Sequence, residues 1–364
     1  MDNRIHNFNA GPATLPLPVL EKAQEEFLSM PGLGMSVFEI SHRSSVFDEI
    51  LAGTQSNLRK LYGIPDNYRI LFLQGGALLQ FSMVPINFLR GAEKPSDYIV
   101  TGSWGEKSVK EAKREGEVNI AWDGKAESYT HTPSPSELKL SGDSAYIHFT
   151  SNETIEGIQF ASEPESGKVP LICDMSSDFL SKLLPIERYG LIYAGAQKNA
   201  GPAGTTIVII REDMLERVPE NQHSMLDYRL LAEKNSALNT PPVFAIYMVK
   251  LVTDWLVDEI GGLKKMSKLN SGKAKLLYDV IDQNPEFYRG HARTDSRSKM
   301  NVIFRLPSEG QEAEFIKEAE QANLHGLKGH RSVGGIRASI YNAMTLEGVK
   351  ILRDFMLDIA SRQT

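Results

Sequence analysis

Apolar residues recur along this chain with two periods, and their alternation predicts an α/β protein. Short aliphatic and β-branched runs at 69–73, 98–101, 118–122, 145–149, 171–173, 191–194 and 205–210 read as strands buried on both faces. Between and after them, apolar positions spaced three and four apart predict helices over 18–28, 78–89, 243–259, 263–281, 309–322 and 346–361, with further strands at 301–306 and 336–340. In the first helix Val19, Leu20, Ala23 and Phe27 share a face, and Ser45 with Asp48 has the spacing of a capping box for a helix that follows. Strand–helix alternation of this kind implies a mostly parallel, seven-stranded-type sheet flanked by helices, plus a smaller C-terminal α/β domain. The expected division is an arm over 1–15, a large domain over 16–260 and a small one over 261–364, with the arm as a candidate to join the small domain. Residues 123–143, polar and interrupted by Pro133 and Pro135, read as a surface excursion.

Composition narrows the function classes. At 364 residues, 41% hydrophobic and 24% charged, the chain is an ordinary globular one, and its net charge of -6 argues against nucleic acid as the main partner. No apolar run is long enough to span a bilayer, and the first 16 residues lack the apolar core of a signal peptide, so a cytoplasmic location is expected. The single cysteine, Cys173, sits in an apolar run and reads as a buried core thiol. No metal is called for.

The candidate chemistry centres on residues 191–210. A strand ends in Gly195-Ala196-Gln197-Lys198-Asn199, a turn with Gly201, Pro202 and Gly204 follows, and a second strand begins. Lys198 therefore lies at a corner between core strands, where a partly desolvated amine loses its proton more readily and can join a carbonyl cofactor as a Schiff base. Asp174 ends the 171–173 strand, the place where open α/β sheets bind ligands, and could hold a protonated pyridine nitrogen. Lysine and aspartate on neighbouring strand ends make a site for pyridoxal 5′-phosphate (PLP). Taken singly, Lys198 reads sooner as a surface lysine in a turn, and Asp174 as readily as a turn cap; the pairing is what favours the site.

Other residues fit around that pair. Gly75-Gly76-Ala77 is a phosphate-sized turn leading into a helix whose first amides could face an anion. Trp104 follows a strand and could stack on a flat ring, or belong to the core. Residues 150–154 offer hydroxyls and amides to a ring oxygen, or cap their own turn. His42 and Arg43 precede a helix, and His330 and Arg331 sit in a glycine-rich loop. Arg337 enters a strand, where a fixed guanidinium suits a carboxylate clamp or a structural ion pair.

The motifs FNAGPATLP, SHRS, QGGA, GSWG, NETIEG, CDMSSDF, AGAQKNAGPAG, NTPP and GHRSVGGIRASIYNAM, in this order and over nearly the whole chain, resemble those of the phosphoserine aminotransferases, class V enzymes of PLP fold type I. The resemblance implies a homodimer with active sites at the subunit interface. It also implies reversible amino transfer between L-glutamate and 3-phosphohydroxypyruvate, giving phosphoserine and 2-oxoglutarate in serine biosynthesis, and in some bacteria action on a phosphorylated threonine analogue in pyridoxine biosynthesis. By position it makes Lys198 the Schiff-base lysine, Asp174 the partner of the ring nitrogen, Trp104 the stacked ring and Thr154 the hydroxyl near O3′. Gly76, Ala77, Leu78 and Gln197 become phosphate contacts, joined by Asn239 and Thr240 from the other subunit. Arg337 matches the α-carboxylate clamp, and His42, Arg43, His330 and Arg331 match a basic cluster for the distal anion. Some members have Gly-Arg in place of Ala77-Leu78. The rival expectations are another class V enzyme, such as an alanine–glyoxylate aminotransferase or a cysteine desulfurase, and, more remotely, a nucleotide-binding oxidoreductase or a non-catalytic ligand-binding protein. Neither a G-x-G-x-x-G after a strand nor a Walker motif is present to support the oxidoreductase.

Overall fold

The computed structural model describes residues 4–362; residues 1–3 of the expected arm and 363–364 of the expected small domain lie outside them. Seven strands, β1 (Tyr68–Leu73), β2 (Ser96–Val100), β3 (Val118–Asp123), β4 (Ile147–Thr150), β5 (Leu171–Asp174), β6 (Tyr189–Gly195) and β7 (Thr206–Arg211), form one sheet in the order β1-β7-β6-β5-β4-β2-β3. Six strands share a direction, and β7 runs antiparallel to β1 and β6. Every residue of β2, β4, β5 and β6 is buried. Helices cover both faces of such a sheet, which is why these strands read as continuous apolar runs rather than alternating ones.

Helices α1 (Leu17–Glu25), α2 (Ser45–Tyr62) and α5 (Val243–Trp255) pack with one face of the sheet, where Val19, Phe47, Phe72, Ile192 and Ile246 share a core. On the other face α3 (Gly76–Phe88) and α4 (Ser103–Ala112) bury Phe81, Val84 and Val109 against Leu71, Tyr98 and Tyr193. A third cluster gathers the second half of α6 (Leu263–Gln283), α7 (Glu309–Gln321), α8 (Leu346–Ser361) and an antiparallel sheet of β8 (Arg289–Gly290), β9 (Asn301–Arg305) and β10 (Ile336–Ser339). Phe8 is buried in this cluster. The short strand before it, His6–Asn7, pairs in parallel with Leu324–His325, and Phe8 donates its N–H to the His325 carbonyl at 2.8 Å.

Three local expectations need correction. The first helix stops at Glu25, and the Phe27 ring instead meets Phe38 edge-on at 5.2 Å, which in turn stacks on Phe244 at 4.2 Å. The cap of α2 is Ser44, whose Oγ accepts the Phe47 N–H at 3.3 Å, so Ser45 is the first helical residue. The helix expected over 243–259 changes to a π-turn at Leu256–Ile260 and ends at Gly261.

His148, fully buried on β4, stacks on Tyr98 with centroids 4.7 Å apart, and its Nε2 lies 2.8 Å from Tyr193 Oη. Burial alone pulls its pKa from 6.5 down to about 3. The folded protein keeps the imidazole neutral while the unfolded chain takes up a proton below pH 6.5, so stability is full above that pH and falls on acidification toward pH 3. His148→Phe, which cannot titrate, is expected to flatten this acid loss by a few kcal/mol. Urea denaturation of both proteins at pH 7 and pH 4.5 checks it; equal losses in both would refute this role for His148.

Candidate active site

The carboxyl ends of the parallel strands converge on a cavity of about 320 Å³. The antiparallel pair β6–β7 brings Lys198 there. Gly195 faces Thr206 across the pair, and the chain turns tightly between them, with Ala200 and Gly201 donating to the Ala196 carbonyl at 3.1 and 2.8 Å. Lys198 Nζ donates to Thr154 Oγ1 at 2.7 Å and lies 5.2 Å from the centre of the Trp104 ring. Burial lowers its pKa, and the carboxylates of Asp174 and Glu153 oppose that shift. The result is an amine that gives up its proton more easily than a surface lysine yet keeps counter-charges nearby.

Asp174, the last residue of β5, is 4% exposed and accepts the Ser176 N–H at 2.8 Å. Burial raises its pKa, while the Lys198 charge and the bonds from Ser176 lower it. A cationic ring nitrogen beside it would add to the lowering side. Gly76, Ala77 and Leu78, the first turn of α3, form one wall of the cavity, and the cap position, Gly75, provides no side chain for their amides. Uncapped amides at a helix start suit a phosphate, and Gln197 lies on the same wall system. Trp104 enters from the first turn of α4 with a buried indole Nε1 that has no hydrogen-bond partner. The residues present therefore fit PLP, offering a desolvated amine, a buried carboxylate, a flat ring and an amide cradle.

Arg337 reaches the cavity from β10, its N–H bonded to the Leu327 carbonyl at 2.8 Å. Its Nε is buried without a partner, and burial is the main cause that lowers its pKa. A desolvated guanidinium with an open donor fits an incoming carboxylate better than a structural ion pair. His330 also lines the cavity, with Nδ1 2.7 Å from Ser332 Oγ. Arg331, His42, Arg43, Asn239 and Thr240 are not part of its wall. Arg43, Arg331, Asn239 and Thr240 are exposed and His42 half-buried, while the Thr240 carbonyl lies 3.4 Å from Gln74 Nε2.

Sequence reasoning missed Ala10, Gly11, Ile155 and Ser176, which also line the cavity. Gly11 has φ +151°, and a Cβ there would sit 3.2 Å from Lys198 Cγ. The N-terminal segment is fixed beside the lysine turn, as Ala13 donates to the Gln197 carbonyl at 2.9 Å and Tyr341 Oη donates to the Ala10 carbonyl at 2.7 Å. The sequence signals were the Gly11-Pro12 pair, which reads as a turn, and the motifs FNAGPATLP, NETIEG and CDMSSDF, which contain Ala10, Gly11, Ile155 and Ser176 without singling them out. Cys173 is buried in the sheet outside the cavity wall, and burial pushes its thiol pKa up, the opposite of what a desulfurase nucleophile needs. A wider groove of about 1000 Å³ opens beside Ser144, Lys168 and Arg217, near the starts of β4 and β5. Ligands in open α/β sheets bind at strand carboxyl ends, and the half-buried amine of Lys198 also favours the smaller cavity.

A desolvated lysine, a strand-end aspartate and a seven-stranded sheet of this topology define a transferase of the aminotransferase kind, and the chain belongs to the class-V aminotransferase family, whose model matches residues 5–352. Within it the chain is similar to the phosphoserine aminotransferase of Rhodopirellula baltica, 52% identical over 362 residues that cover 99% of this chain and 96% of that protein. Its fold matches the solved phosphoserine aminotransferase from Bacillus circulans subsp. alkalophilus with a TM-score of 0.96 at 49% identity, covering 99% of each chain. The PLP-bound phosphoserine aminotransferase from Trichomonas vaginalis matches with a TM-score of 0.90 at 42% identity, over 97% of this chain and all of that one.

Gly11→Ala is expected to destabilise the apoprotein by about 1–3 kcal/mol, because alanine resists this backbone conformation and its methyl presses on Lys198. Urea unfolding measures the change, and wild-type stability would contradict the assignment of Gly11 as a spacer for Lys198.

Proposed function

We propose that this chain is a PLP-dependent phosphoserine aminotransferase, which moves an amino group reversibly between L-glutamate and 3-phosphohydroxypyruvate to give O-phospho-L-serine and 2-oxoglutarate. The observation that carries this reading is the half-buried, partly desolvated Lys198 amine, 2.7 Å from Thr154 and facing the Asp174 carboxylate at the strand ends. Relatives at about half identity over the full chain favour phosphoserine over alanine–glyoxylate chemistry. When bound, PLP supplies an aldehyde for amines and a protonated ring that stores the electron pair left at the substrate Cα.

The chain's own residues would do the rest. Lys198 Nζ would hold the cofactor between turnovers and, once freed by the incoming amine, would take the proton from the substrate Cα and deliver it to the cofactor's aldehyde carbon on the other side of the shared nitrogen. Its lowered pKa suits a base working near neutral pH. Asp174 keeps the ring nitrogen protonated, Thr154 bonds the ring oxygen, and Trp104 covers the ring face. Gly76, Ala77, Leu78 and Gln197 hold the cofactor phosphate; with backbone amides as donors, Ala77-Leu78 in place of Gly-Arg costs nothing at this contact. Arg337 clamps the substrate α-carboxylate, with its free Nε as one donor. His330 and Arg331, with His42 and Arg43, take the distal phosphate or the glutamate side-chain carboxylate.

Asn239, Thr240, His42 and Arg43 lie off the wall of their own chain's cavity, and we assign them to the cavity of a second copy. The protein is thus read as a homodimer with shared sites, placed in the cytoplasm; among the described residues no helix is long and apolar enough to cross a membrane. The same reading extends to the phosphorylated threonine analogue. It also divides the chain into a large domain over 16–260 and a small one over 261–364 joined by the N-terminal arm, a division supported by the separate core that includes Phe8.

Lys198→Ala is expected to lower turnover at least about 1000-fold and to remove the cofactor's visible absorbance; an active, yellow variant would overturn the assignment. Arg337→Ala is expected to raise KM for glutamate and alanine alike by about 10- to 100-fold, whereas Arg331→Ala or Arg43→Ala affects only substrates with a distal anion. Steady-state kinetics on both amino acids separates the roles, and equal effects from all three variants would contradict them.

A further inference from the structure

Two glutamates without a part in the chemistry above lie beside Trp104. Glu153 is fully buried and Glu156 is 2% exposed. Helix α4 starts after Gly102, which has no side chain to cap the first amides. The two carboxyls do so instead. Glu153 accepts the Trp104 N–H at 3.2 Å through Oε2 and the Gly105 N–H at 2.9 Å through Oε1. Glu156 Oε1 accepts the Ser103 N–H at 3.0 Å and the Ser103 hydroxyl at 2.5 Å. A Cβ on residue 102 would lie 2.6 Å from both Glu153 Cδ and Glu156 Oε2, so the two carboxyls flank Gly102 closely enough that a methyl there would clash with both.

Two carboxyls this close in a dry site cannot both ionise cheaply. Burial is the first cause that holds both above the ordinary carboxylate range, and with the neighbouring Glu156 charge as second cause it pushes Glu153 the further of the two, so burial and charge alone would put the proton on Glu153. Hydrogen-bond inventory decides which one keeps its proton. Both oxygens of Glu153 accept amides, so the charge is best satisfied there. Oε2 of Glu156 is buried with no partner, and a neutral hydroxyl left unpaired costs less than a charged oxygen. Around the pair, Asp174 and Lys198 face Glu153, while Glu106, Arg337 and Tyr129 face Glu156.

We propose that Glu153 and Glu156 are a positioning pair that shares one proton, carried by Glu156, and that the Glu153 charge fixes the first turn of α4, and so Trp104, over the cofactor ring while facing Lys198. The pair itself is independent of the proposed function; only its effect on the cofactor rests on that reading. Loss of the Glu153 charge removes one of the three carboxylates, with Asp174 and Asp178, that help Lys198 keep its proton, whereas loss of an already neutral Glu156 changes little.

Two isosteric variants and the wild type test this. In the loaded protein, E153Q is expected to lower the pH midpoint of the bound cofactor's absorbance by about 1 unit, and E156Q to leave it within about 0.3 unit. Equal shifts, or a larger shift from E156Q, overturn the proton assignment. In the wild-type apoprotein at pH 8, infrared spectroscopy is expected to show the C=O stretch of a protonated carboxyl that disappears in E156Q. A wild-type spectrum without that band refutes the pair even if E153Q fails to fold. It would leave the proposed function standing, because that reading is judged on Lys198→Ala.

Discussion

A lysine amine taken partly out of water has to be surrounded by oxygen, and the sheet is arranged so that it is. Thr154 in the segment that follows β4, Asp174 at the end of β5 and the turn after β6 meet because three adjacent parallel strands end side by side. Burial pulls Lys198 toward neutrality while Asp174 and Glu153 pull it back. A base for moving a Cα proton needs this balance: too exposed and it stays an ammonium, too isolated and it loses the charge that orients it. The reversal of β7 matters as well. An antiparallel return after β6 lets Lys198 sit in a short hairpin at the ligand end of the sheet, where a parallel strand would have required a crossover helix.

Behind the site, side chains far apart in sequence join Arg337 to this lysine turn. Lys273 on α6 is buried and donates to the carbonyls of Ile340, Tyr341 and Met344 at 3.0, 2.7 and 3.0 Å, just past β10. Burial lowers its pKa to about 7, while three carbonyl acceptors favour its charged form. Asn342 in the same segment donates its N–H to Asn199 Oδ1 at 2.8 Å, next to Lys198. Arg337 and the Lys198 amine are thus linked by one polar network.

Much of the fold could be read from the chain because the large sheet is buried on both faces, which leaves dense apolar runs punctuated by glycine. Lys198 and Asp174 stood out for the same reason: each is a charge placed where such a run ends. What could not be read depends on contacts across tens of residues. Glu153 looked like part of a loop capping its own turn, yet it caps a helix that begins at residue 103. Gly11 carried a turn signal, and nothing local revealed that Lys198 lies against it. The stop of α1 at Glu25 follows from Phe27 meeting Phe38, a contact that helical periodicity does not encode. His42 and Arg43 have the composition of an anion site, but one chain does not carry them to its own cavity.

The N-terminal strand has a mechanical consequence. It is stitched at one end to the cluster that holds Arg337, through Phe8 and His325, and at the other to the lysine hairpin, through Ala13 and Gln197. Such a tether has little slack. A rotation that carried Arg337 away from Lys198 would have to break these bonds or drag the hairpin along, so the segment couples the two ends of the site mechanically as well as in space.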